Sequence, residues 1–101
     1  MGALIVTYKT HPESADENER LVADVFAELN ATCPAGIRYA AFRLDDCVSF
    51  VHVAMLDDDL PNPLAASAAF AAFQRDLAGR CAVAPLPVGA RLVGSYGIAE
   101  D

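Results

Sequence analysis

"IRYAAFRLDDCVSFVHVAM", residues 37–55, decides the fold. Residues 37–44 and 47–55 are rich in β-branched and aromatic side chains, and the Asp45-Asp46 spacer between them favours a tight two-residue hairpin. That turn sets Arg43 opposite Val48, Ala41 opposite Phe50 and Tyr39 opposite His52. One face then collects Tyr39, Ala41, Arg43, Val48, Phe50 and His52. The other collects Arg38, Ala40, Phe42, Ser49, Val51 and Val53.

Upstream of the hairpin, "ALIVTYK", residues 3–9, is apolar on both faces and reads as a buried strand. In "HPESADENER", Ser14 and Glu17 have the spacing of a capping box, and the pattern predicts a helix over 15–31. Its stripe is Leu21, Val22, Val25, Phe26 and Leu29; Pro34 and Gly36 end it. Downstream, Asp57, Asp58 and Asp59 open a loop. Asn62 is placed to cap a second helix with Pro63 at its first position. That helix carries Ala66, Phe70, Phe73 and Leu77 on one face and stops near Gly79. "AVAPLPVG" reads as a proline-broken connection and "ARLVGSYGI", residues 90–98, as a last strand.

The resulting order, β-α-β-β-α-β, is that of an α+β ferredoxin-like sandwich: one antiparallel sheet with two helices on one face, in a single domain over residues 1–101. The first and third strands are then central. Both faces of the sheet are apolar, and two helices cover only one. A second copy is the simplest cover for the other, which makes the expected assembly a homodimeric α/β barrel.

The composition narrows the partners. Apolar residues make up 54% of the 101, high for so small a globule. A net charge of −7 opposes nucleic acid and anionic lipid, so neither is an expected partner. No window approaches the ~20 apolar residues of a membrane span, and the start lacks a signal peptide's basic region, so a soluble cytoplasmic protein is expected. Three cysteines without CxxC spacing are expected to be reduced thiols, and no metal or other cofactor is expected.

The β-α-β-β-α-β order, "SFVHVAM", "FAAFQRDL" and "VGSYGI" together resemble the dimeric α/β-barrel superfamily, nearest to its antibiotic biosynthesis monooxygenase-like branch. That resemblance implies a cofactor-independent oxygenase of phenols and quinols, a haem-degrading enzyme, or a protein without known activity. The haem-degrading type relies on a pocket tryptophan, and this chain has none. No catalytic motif of the oxygenases transfers residue by residue.

His52 is the sharpest candidate, as a base for a phenolic proton, with Tyr39 beside it to bond the same substrate oxygen. The plain alternative is that the two simply bond each other. Phe50 and Val48 share their face and would line a substrate pocket; Arg43 would hold a carboxylate, or else an aspartate of the hairpin; Tyr96 would close the barrel. Because the helices are expected over Val51 and Val53, His52 is expected to point into the space between two sheets. Other groups read as structural: His11 as a loop residue, the triple aspartate as a solvated loop, Asp24 and Glu28 as wet helix acids, and Cys47 as an unactivated thiol. Two functions remain: a cofactor-independent oxygenase or isomerase, and a non-catalytic dimer that binds an apolar ligand.

Overall fold

A computed structural model describes residues 2–97. The elements run β1 (Gly2–Thr10), α1 (Ala15–Thr32), β2 (Ile37–Arg43), β3 (Ser49–Leu56), α2 (Ala68–Gln74), α3 (Leu77–Arg80) and β4 (Cys81–Arg91). All strand pairs are antiparallel, in the order β2-β3-β1-β4, so β1 and β3 are central as expected. This is the ferredoxin-like arrangement.

The helix α1 begins where the sequence placed it, by another device. Pro12–Ser14 forms a 3₁₀ turn that leads straight into the helix, and the Ser14 side chain makes no capping bond. At the far end Cys33 adopts a left-handed conformation (φ 49°), and its N–H reaches the Leu29 carbonyl at 2.8 Å.

The hairpin between β2 and β3 is four residues long rather than two. Leu44 N–H bonds Ser49 O at 2.8 Å, while the Asp46 carboxylate accepts from Val48 N–H, Ser49 N–H and the Ser49 hydroxyl at 3.0, 2.8 and 2.5 Å. Those bonds, Ser49's hydroxyl foremost, hold the Asp46 carboxyl at about 2, below its ordinary value. Cys47 completes the turn at φ 67°. The register moves by two: Ala41 lies opposite His52, and Tyr39 opposite Ala54. A shift of two keeps every side chain on its face.

The second helical region is in pieces. Asn62 caps a 3₁₀ turn, accepting from Leu64 N–H at 3.0 Å; Ser67 then interrupts the run in an extended conformation and caps α2 through Phe70 N–H at 2.9 Å. Asp76, left-handed at φ 64°, separates α2 from the single turn of α3. Glu28 is not merely a wet acid, since its carboxylate accepts from Ser67 Oγ and Ala69 N–H at 3.1 and 2.8 Å and ties α1 to α2.

The last strand also differs. β4 runs through Pro85 and Pro87 and ends at Arg91, where a strand over 90–98 was expected; residue 98 lies outside the described residues. Prolines are tolerated on an edge strand whose nitrogens face outward, and β4 is that edge. The pairing slips twice along β1, once opposite Tyr8 and again between Lys9 and Thr10.

The core lies between the sheet and the helices, around Tyr8, Val22, Val25, Phe50, Leu64 and Phe73. Burial of each such side chain is worth about 1.5–3 kcal/mol.

Candidate functional site

Alternation along the central strands places Leu4, Val6 and Tyr8 of β1 and His52 and Ala54 of β3 on the helix-covered face. This overturns the expected orientation of His52: the ring points at the helices, away from any space between two sheets. The physical reason is volume and polar satisfaction. The helix side must accept Tyr8, Tyr39, Phe50 and Phe73, a set of rings into which an imidazole packs, and its nitrogens find partners there. Val51 and Val53, although more apolar, are only half-buried on the other face.

His52 retains 5% exposure and is bonded at both ends. Its Nε2 lies 2.8 Å from the Tyr8 hydroxyl and its Nδ1 2.7 Å from the Tyr39 hydroxyl. Tyr39 reaches it diagonally, from a position two residues along the ladder. Behind Tyr8 the chain continues. Asn18 Nδ2 donates to the Tyr8 hydroxyl at 2.8 Å, and Arg80 Nε donates to Asn18 Oδ1 at 3.1 Å. Arg80 also donates to the Phe73 and Arg75 carbonyls at 2.7 and 3.2 Å, and its guanidinium lies 5.6 Å from the centre of the Phe73 ring.

Burial sets the titration of the group. It lowers His52 to about 4, so the ring is neutral near pH 7. It raises Tyr39 to about 12 and raises Tyr8 well above the ordinary tyrosine value, the Asn18 bond pulling Tyr8 the other way. With both nitrogens engaged, His52 can exchange a proton with a ligand only through a tyrosine hydroxyl.

His52, Tyr39 and Tyr8 line a cavity of about 260 Å³ between the sheet and α2. Leu64, Phe70, Phe73 and Leu77 form its helix side, and Pro85 and Pro87 its β4 side. The volume falls just below the range of about 300–1,000 Å³ that holds drug-sized ligands, which suits a molecule of one or two rings.

Of the residues singled out in the sequence, Tyr39 and His52 are brought together at this cavity. Phe50 and Val48 share their side of the sheet but not the cavity wall. Phe50 is buried beneath Tyr8, its ring stacked at 5.4 Å, and Val48 packs against the core. Arg43 lies over Phe50 at the hairpin end and pairs with Asp16 and Glu19 of α1 at 3.1 and 2.6 Å, not with the hairpin aspartates. Tyr96 is 97% exposed. Tyr8, Asn18 and Arg80 were not singled out. Asn18 carried a signal, since it falls in the helical series Ala15, Asn18, Val22, Val25 of otherwise apolar positions.

Among the described residues no group of three or more His, Cys, Asp or Glu is placed to hold a metal ion, and no helix is long and apolar enough to cross a membrane.

The fold and its pocket define a class: a ferredoxin-like α+β domain with an apolar cavity under its helices. More particularly, the chain has the fold of antibiotic biosynthesis monooxygenase structures. A putative antibiotic biosynthesis monooxygenase from Caulobacter crescentus superposes with a TM-score of 0.72 at 22% identity, over 92% of this chain and 90% of that one. A variant of SnoaB, a cofactor-independent oxygenase from Streptomyces nogalater, gives 0.68 at 17% identity, over 95% and 96%. A protein of unknown function from Nitrosomonas europaea gives 0.73 at 19%, over 98% and 95%. No protein-family model and no curated protein sequence matches the chain.

Proposed function

We propose that this protein is a cofactor-independent monooxygenase-like enzyme acting on small phenolic or quinol-type substrates in the cavity beneath α2. One observation carries the reading: a neutral histidine held between two tyrosine hydroxyls forms the polar wall of an otherwise apolar, aromatic-lined space. A substrate ring would lie against Phe70, Phe73 and Leu64, with its oxygen on the Tyr39 hydroxyl. Its anion is electron-rich enough to react with dioxygen, one oxygen atom entering the carbon skeleton while the other leaves as water with the two hydrogens removed. The name of SnoaB supports the same chemistry.

The second reading is a binding protein without turnover, favoured by the fact that both nitrogens of His52 are already engaged. Oxygen uptake separates the two. With naphthols and naphthoquinols, uptake above the spontaneous rate is expected, reduced about tenfold or more in Tyr39→Phe. Saturable binding without uptake would leave only the second reading.

The proposal includes a homodimer. Phe42, Val83, Leu86 and Val88 are 54, 56, 62 and 51% exposed on the face of the sheet that the helices leave open, and a second copy would cover them.

A further inference from the structure

A hydrogen-bond chain has a direction when one end can only donate, and this one ends on an arginine. Arg80 Nε has a proton and no lone pair to offer, so the Asn18 atom facing it is the oxygen, and the Asn18 amide nitrogen must donate to Tyr8. The Tyr8 oxygen therefore accepts from Asn18. Its own proton has one acceptor among the described residues, His52 Nε2. A neutral His52 with Nε2 as acceptor carries its proton on Nδ1, which donates to Tyr39. The Tyr39 proton is left over, and no acceptor for it exists among the described residues.

The charge agrees with the polarity. Arg80 is 6% exposed, yet its partners are the Asn18 amide and two backbone carbonyls, with no carboxylate of the described residues at ion-pair distance. A buried cation ordinarily has an anionic partner. The titratable groups facing the cavity are Tyr8 of β1, Tyr39 of β2 and His52 of β3; Arg80 of α3 and Cys81 of β4 act on Tyr8 from behind, and no carboxylate lines the space.

We infer that Arg80, Asn18, Tyr8, His52 and Tyr39 form a one-way donor relay, so that the cavity takes an aromatic hydroxyl compound as its oxyanion, held by the Tyr39 O–H. This deepens the proposed function and rests on its placing of the ligand. Tyr39 is the contact. Arg80 and Asn18 are positioning residues that set which way the Tyr39 proton points, and His52 transmits that setting rather than acting as the base.

The test reverses the relay. In Asn18→Asp the side chain keeps its shape and its bond to Arg80 but can only accept, so the Tyr8 O–H must turn to it. His52 then donates from Nε2, and Tyr39 donates to Nδ1 and presents a lone pair to the cavity. Two measurements read this. ¹⁵N NMR of the ligand-free protein is expected to show the Nδ1–H tautomer of His52 in the parent and the Nε2–H tautomer in Asn18→Asp. Titration with 4-nitrophenol, whose phenolate is coloured, is expected to show the parent binding the anion at least about tenfold more tightly than the neutral form, with the preference inverted in Asn18→Asp. The Nε2–H tautomer in the parent, an unchanged tautomer in the variant, or a parent preference for neutral phenol overturns the inference. Absence of any nitrophenol binding overturns the ligand assignment. The tautomer is read without ligand or turnover, so the expected tautomers with no oxygen uptake from any quinol would overturn the proposed function and leave the relay standing.

Discussion

Acid should weaken this protein through His52. Burial holds the imidazole at about 4, against an ordinary 6.5 in the unfolded chain. The unfolded state therefore binds the proton first. Stability contributed by the neutral ring is complete above pH 6.5 and is lost as pH falls from there toward 4. Between pH 7.5 and 5 the shift from 6.5 to about 4 amounts to about 2 kcal/mol, since the unfolded histidine is almost wholly protonated at pH 5 and the folded one scarcely at all. For a domain of this size that lowers the melting temperature by roughly 10 °C. The control is His52→Gln, which keeps a donor and an acceptor between Tyr8 and Tyr39 but does not titrate. Thermal unfolding of both proteins at pH 7.5 and 5, at one fixed concentration, gives a double difference in which His11 cancels. Equal losses in parent and variant between the two pH values would refute the buried, neutral assignment of His52.

Three further outcomes are expected. Tyr8→Phe keeps the stack on Phe50 but strips a partner from both Asn18 and His52, so urea unfolding should show a loss of about 2–4 kcal/mol, against less than about 1.5 for Tyr39→Phe, where cavity water can replace the hydroxyl; equal losses would contradict the buried position of the Tyr8 hydroxyl. Sedimentation equilibrium at micromolar concentration should give twice the 10.7 kDa chain mass, falling to the monomer mass in Phe42→Asp, and a folded monomer for the parent would sink the barrel assembly. Thiol titration in denaturant without reductant should count three thiols, because Cys33, Cys47 and Cys81 are all unpaired; a count of one would mean a disulfide.

The sequence showed which side chains share a face but assigned that face to the wrong side of the sheet. Period-two alternation put Tyr39, Phe50 and His52 together, and that grouping survived a two-residue error in register because the period is itself two. The choice of face was not legible, since Val51 and Val53 look like core by hydropathy while the space under the helices was shaped for rings. The hairpin was misjudged because Asp46 builds a longer turn with its own side chain, an option that the dipeptide Asp45-Asp46 does not advertise. Pro85 and Pro87 read as breakers, which put the start of the last strand after them, although an edge strand tolerates both. Asn18 was visible as a polar interruption in an apolar series. Arg80 was not, because a cation following Gly79 at a helix end has an ordinary meaning of its own.

The two prolines also bear on the company the protein keeps. An edge strand is a template on which a passing extended chain can lay itself down, one backbone bond at a time, and in a concentrated cell that is a route to fibres. β4 carries Pro85 and Pro87 two residues apart, with nitrogens that have no proton to offer. A stranger arriving at that margin meets gaps where it needs donors, and cannot extend the sheet in register. In the proposed dimer, association through the open apolar face would not be carried on along β4 into a filament.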